Sequence, residues 1–93
     1  MRPLFTDLRM QRAPDRDRET GLLAYLRLTL PGDIQIDGIT LRRGRDQRLL
    51  LGYPKRRGAR GEEHPIVRPT TPAARAEFEA AVISELRARG EIE

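Results

Sequence analysis

Between Arg42 and Arg60 the chain carries Arg42, Arg43, Arg45, Arg48, Lys55, Arg56, Arg57 and Arg60 against a single acid, Asp46. This stretch of 19 residues has a formal charge of +7, whereas the whole chain of 93 residues carries only +4. A positive field concentrated in this way attracts polyanions; evenly spread arginine would only keep a chain soluble. Lys55, Arg56, Arg57 and Arg60 are the first candidates for phosphate contact. They follow an apolar run and Pro54, and Gly58 and Gly61 punctuate them, so the sequence predicts a mobile loop carrying long cationic side chains. Arginine suits this task because its planar fork meets two phosphate oxygens at once. Arg42, Arg43, Arg45 and Arg48 form a secondary cluster around the preceding turn. A short strand separates the two groups by about 20 Å, so they are expected as distinct patches.

Other chemistry is excluded more easily than it is found. The chain has no Cys and one His, which removes disulfides, thiolate zinc sites, iron–sulfur clusters and cysteine nucleophiles. His64 stands beside Glu62 and Glu63, but neighbours on a strand point to opposite faces and no second His exists. It reads as a structural or capping residue rather than a metal ligand. No phosphate-cradling glycine loop, nucleophile elbow or paired-His signature is present. No catalytic residue is assigned, no metal or other cofactor and no small-molecule substrate is expected, and the protein is not expected to be an enzyme. Tyr25 and Tyr53 could stack on bases, but tyrosines on strands read first as residues at the edge of a core. Arg57-Gly58 and Arg60-Gly61 resemble the Arg-Gly segments of RNA-binding tails, and two such pairs are too few to carry that reading.

The elements that must position these groups follow from the apolar pattern. Strands are predicted over about 4–12, 22–30, 33–43 and 48–53. The clearest is the second, where Leu22, Ala24, Leu26, Leu28 and Leu30 alternate with Leu23, Tyr25, Arg27 and Thr29. Residues 13–20, charged and bearing Pro14, read as a loop, and Pro31-Gly32 as a turn. Ile34 and Ile36 differ in parity from Ile39 and Leu41, and a β-bulge at Asp37-Gly38 brings all four to one face. Residues 64–67 suggest a further edge strand, since Pro65 cannot donate to an interior ladder. Thr71-Pro72 signals a helix start. A helix over about 72–89 follows, with Ala74, Phe78, Ala81, Val82 and Leu86 on its apolar stripe, Glu77, Glu79 and Glu85 on its exposed face, and Gly90 as cap. The fold class is therefore α+β, a single domain with a small antiparallel meander of four to five strands followed by one C-terminal amphipathic helix.

In order and spacing the chain resembles the stage V sporulation protein G (SpoVG) family of bacterial septation regulators, from about Leu4 to Leu86. The resemblance rests on Gly21-Leu22-Leu23-Ala24-Tyr25 and Leu28-Thr29-Leu30, then on Ile34-Gln35-Ile36-Asp37-Gly38-Ile39-Thr40-Leu41. It continues through Leu49-Leu50-Leu51-Gly52-Tyr53-Pro54 with its basic residues, and through His64-Pro65-Ile66 ahead of the helix. The segment between Pro54 and His64 is shorter than is usual in the family, and Arg68-Pro69 lengthens the spacer after Ile66. The resemblance implies a dimeric protein that binds DNA, and in some members RNA, as a regulator.

Size points the same way on assembly. A chain this short leaves much apolar surface exposed, its sheet edges would be unpaired, and Leu23 and Tyr25 leave one sheet face partly apolar, so a homodimer is expected. The longest purely apolar run is Leu49-Leu50-Leu51, too short to cross a membrane, and the N-terminal residues have no signal-like apolar stretch; a cytoplasmic location is expected. Two alternatives accompany the DNA reading. One is a protein-interaction module in cell division or septation, docking through Leu23 and Tyr25 or through Ile83 beside Ala76 and Ala80. The other is a regulator that binds RNA.

Overall fold

A single-residue alternation builds the centre of the molecule: Leu22, Ala24, Leu26 and Leu28 are buried, while Tyr25 and Arg27 between them are exposed. The computed structural model describes residues 3–93. Its elements are β1 (Thr6–Arg12), α1 (Asp15–Arg18), β2 (Leu22–Leu30), β3 (Ile34–Arg43), β4 (Leu49–Gly52), β5 (Lys55–Arg57), β6 (Glu63–Pro65) and α2 (Pro72–Ala88). The first four strands form an antiparallel sheet in the order β1-β2-β3-β4, and β5 and β6 pair as a separate two-stranded sheet. The class is α+β, with the C-terminal helix packed on one face of the meander.

The bulge lies where the parity change required it. Leu26 pairs with Ile39 and Leu28 with Ile36, so β3 fits one more residue than β2 into that interval. Gly38 takes a φ of +83° there, a conformation costly for a residue with a Cβ. Ile36, Ile39 and Leu41 thereby face the helix with Leu26 and Leu28. Ile34 shares that parity but lies at the sheet's end, where it is exposed.

Helix α2 starts and stops as its residues require. Thr71 accepts a hydrogen bond from the Ala74 N–H at 3.0 Å, and Pro72 occupies the first turn, where its missing N–H costs nothing. At the far end Arg89 is the cap and Gly90 follows at φ +73°. The N–H groups of Glu91 and Gly90 donate to the carbonyls of Leu86 and Arg87, each at 3.0 Å, which closes the last turn. Val82 and Leu86 are buried against Leu8, Leu41 and Leu51 in one contiguous core, each such side chain contributing about 1.5–3 kcal/mol. None of the helices among the described residues is long and apolar enough to cross a membrane.

Four expectations are corrected. Residues 15–18 form the short helix α1 rather than loop, because the Asp17 and Arg18 N–H groups both donate to the Pro14 carbonyl. Lys55–Arg57 is a strand, not a mobile loop. The strand expected near 64–67 is β6, residues Glu63–Pro65, and it pairs with β5 rather than extending the main sheet. Glu79 is not on an exposed face: its side chain is 14% accessible, because the carboxylate is tied to β4.

Candidate nucleic-acid interface

Pro54 ends β4, and six residues of regular pairing then rebuild a ribbon from a stretch with no apolar alternation. Lys55 pairs with Pro65, Arg56 with His64 and Arg57 with Glu63. Pro65 cannot donate to a ladder, which a ribbon with two free edges tolerates. The Ile66 N–H closes the base of this arm on the Pro54 carbonyl at 2.9 Å. All six strand residues are exposed.

The tip is fixed by Glu62. Its carboxylate accepts the Arg60 N–H at 2.9 Å and lies 3.4 Å from His64 Nε2. Hydrogen bonds from its own backbone N–H and from His64 hold the Glu62 carboxyl below its ordinary value. Gly58 leaves room for this arrangement, since a Cβ there would collide with the Glu62 carboxylate. The Gly58 N–H donates to the Glu62 carbonyl at 2.7 Å and the Gly61 N–H to the Gly58 carbonyl at 3.1 Å. The glycines therefore shape a turn rather than loosen a loop.

The four candidate cations of the arm are not equivalent. Lys55 Nζ lies 3.7 Å from a Glu63 carboxylate oxygen. Arg56, Arg57 and Arg60 are exposed and have no carboxylate partner among the described residues. These three are the arm's available phosphate ligands. His64, read as a structural residue, lies against Glu62 and so belongs to the tip.

Arg42, Arg43, Arg45 and Arg48 gather at the other end of β4, around the Gly44–Arg48 turn. Asp46 is spent on that turn, accepting the Arg48 N–H at 3.0 Å. Six residues lie between Arg48 and Lys55, at most about 20 Å of extended chain, and β4 stands between the two clusters. The fold also divides the second cluster. Arg42 stands on the sheet face away from α2, while Arg43 and Arg48 line a depression of about 510 Å³ together with Arg87 of α2. Sequence reasoning missed Arg87, because its neighbours in space lie about forty residues away and its helix offers no local signal of that meeting.

The two tyrosines part company. Tyr53 is half-buried at the end of β4, its ring 6.3 Å from that of Phe78 and 5.4 Å from the Arg75 guanidinium carbon. Its hydroxyl is buried without a hydrogen-bond partner. Burial first, then the nearby Glu79 charge, pushes the Tyr53 phenol up to about 12, with Arg75 opposing. Tyr25 is 40% exposed on the open face of the sheet. Ile83, suggested as a docking residue, is half-buried against the core.

Near Tyr53, a groove of about 330 Å³ opens between the sheet and the start of α2, lined by Leu4, Leu30, Ile36, Val67 and Phe78 among others. Exposed Ile66 precedes the lining residue Val67 in the chain, and exposed Ile34 pairs with the lining residue Leu30 across β2 and β3. No protein-family model matches the chain, and a search of the curated proteins finds no relative.

Proposed function

We propose that the protein is a non-enzymatic, dimeric nucleic-acid-binding regulator of the SpoVG type, acting in the cytoplasm and engaging duplex DNA through the β5–β6 arm. The observation that carries this reading is the set Arg56, Arg57 and Arg60, three unpaired guanidinium groups on an exposed ribbon. A two-stranded ribbon is one of the elements that the major groove of B-DNA admits, whereas the deep, narrow major groove of RNA does not admit side chains easily. DNA is therefore preferred over RNA. The guanidinium groups hold phosphates, which positions the protein without naming a sequence. Helix α2 takes no part, since Glu77 is exposed near its start and its opposite side is committed to the core.

The dimer in this proposal covers the apolar groove. Leu4, Ile34 and Ile66 remain exposed on or beside it, and a second copy is the partner that a chain of this size most needs. The resemblance to septation regulators supports a role in division or in sporulation-type control. Electrophoretic shifts with duplex DNA, single-stranded DNA and RNA at two salt concentrations test the reading. Binding to duplex DNA that weakens steeply with salt is expected, because counterion release accompanies every phosphate contact. An absence of binding to all three would replace the proposal with a protein-interaction module docking through the same groove.

A further inference from the structure

Helix α2 packs on one face of the main sheet; on the other Gln11, Tyr25, Arg27 and Arg42 are exposed, while Leu23, toward the end of β2 that the short α1 contacts, is half-buried. Across that open face Gln11 of β1, Tyr25 of β2, Thr40 of β3 and Gly52 of β4 form one row. In the next row Arg9 stands directly opposite Arg27. Like charges paired across antiparallel strands are destabilising, so this placement costs the fold unless an anion comes between them. Arg9 is partly answered by Asp7 at 3.0 Å, and Asp37 borders the site while accepting the Gly38 N–H at 2.8 Å. Arg27, and Arg42 further along the face, have no carboxylate partner among the described residues. A depression of about 230 Å³ lies between Arg9, Gln11, Tyr25, Arg27 and Asp37.

We infer that this open face is a platform for a single strand of nucleic acid, with one base stacked on Tyr25 and phosphates held by Arg27, Arg9 and Arg42. The inference rests on the nucleic-acid reading above and adds a second site to it. An exposed aromatic ring flanked by unpaired cations on a sheet is the combination that holds unstacked bases. A duplex presents no free base face to such a ring. A second copy suits the face poorly, because a two-fold pairing would lay two faces that each carry Arg9, Arg27 and Arg42 against one another. Adjacent rows of one face lie about 7 Å apart along the strands. The row of Tyr25 and Thr40 lies between the row of Arg9 and Arg27 and Arg42, so a strand held by Arg27 at one end and Arg42 at the other passes over Tyr25.

The chain has no Trp and two Tyr, so Tyr53→Phe leaves Tyr25 as the only strong fluorophore. Titrating this variant with a 12-nucleotide deoxythymidine oligomer is expected to quench Tyr25 saturably, and a uridine oligomer reports whether ribose is also accepted. Tyr25→Ala should weaken single-strand binding about tenfold while leaving duplex binding and the melting transition unchanged. Arg27→Gln should lower the log–log salt slope for single strands by about 0.7. Single-strand binding without quenching, or undiminished in Tyr25→Ala, would overturn the platform while leaving the arm's duplex site standing. Quenching that tracks protein concentration alone would make the face a self-association surface and also overturn it. If the unaltered protein binds neither form, the underlying nucleic-acid reading fails and this inference with it.

Discussion

Glu79 in α2 accepts a hydrogen bond at 3.0 Å from the backbone N–H of Leu51 in β4, 28 positions away in the chain. Arg75, one turn earlier, donates to the Leu51 carbonyl at 3.2 Å and to Glu79 at 2.7 Å. β4 is an edge strand, and the backbone groups of Leu51 point away from β3. Two side chains thus satisfy at one residue what a fifth strand would satisfy along the whole edge. The far edge has a smaller counterpart, where Arg89 donates to the Leu8 carbonyl at 2.5 Å. An edge blocked in this way resists unwanted strand pairing, which is a further reason to place the dimer at the groove rather than at an edge.

Glu79→Ala should therefore destabilise the fold by about 1–3 kcal/mol, the range for leaving a buried backbone donor unpaired. Urea denaturation measures this. A cost under about 0.5 kcal/mol, typical of an exposed ion pair, would show that the carboxylate does not hold β4.

The error about Glu79 shows where local sequence ran short. Arg75 and Glu79 have the spacing of a helix-surface ion pair, and nothing nearby signals that β4 passes beneath them. The main sheet was legible because its residues carry the evidence themselves: the alternation of Leu22 to Leu30, and the parity change that Gly38 resolves. The helix was legible from Thr71-Pro72 and Gly90. The arm was not, because Lys55–Arg57 and Glu63–Pro65 have no buried face to produce a pattern. Their pairing comes from backbone bonds, the Lys55–Glu63 contact and the folded-back carboxylate of Glu62. The basic clusters were visible from charge alone, but the meeting of Arg43 and Arg48 with Arg87 needed the packed helix.

Tyr53→Phe should leave stability unchanged or raise it by up to about 1 kcal/mol, since the hydroxyl is buried without a partner. The phenol also makes stability depend on alkaline pH. Its folded value of about 12 lies above the ordinary value of 10.0, so folding favours the protonated form. The contribution is complete below pH 10 and is lost as pH rises from 10 towards 12. Melting temperatures across that interval should fall less steeply in Tyr53→Phe, and equal slopes would contradict the burial of this hydroxyl.

Leu86 and Phe78 separate core from groove. Leu86 is fully buried, so Leu86→Ala should cost about 2–5 kcal/mol. Phe78 is half-buried and meets Phe5 edge to face at 6.0 Å, so Phe78→Ala should cost about 3 kcal/mol or less. If a second copy covers the groove, Phe78→Ala should also raise the protein concentration at which light scattering reports a dimer. A monomer of the unaltered protein at tens of micromolar would remove the dimer from the proposal.

The arm and the distant turn can be told apart by salt. Each phosphate neutralised on a duplex contributes about −0.9 to the log–log slope of affinity against salt. Arg56, Arg57 and Arg60 would together supply about −2.7 per subunit, and Lys55 adds up to another −0.9 when it exchanges Glu63 for phosphate. Replacing all four by Ala should remove most of the slope and weaken every duplex sequence about equally, because backbone contacts carry no base identity. Stability should change little, since all four are exposed. Replacing Arg42, Arg43, Arg45 and Arg48 by Ala removes the same formal charge at the other end of β4, and so controls for net charge. If that control abolishes duplex binding while the arm variant binds normally, the duplex site lies at the turn, where Arg87 would complete it. If both variants bind duplex as the unaltered protein does, neither cluster is the site and the phosphate reading of the arm is refuted.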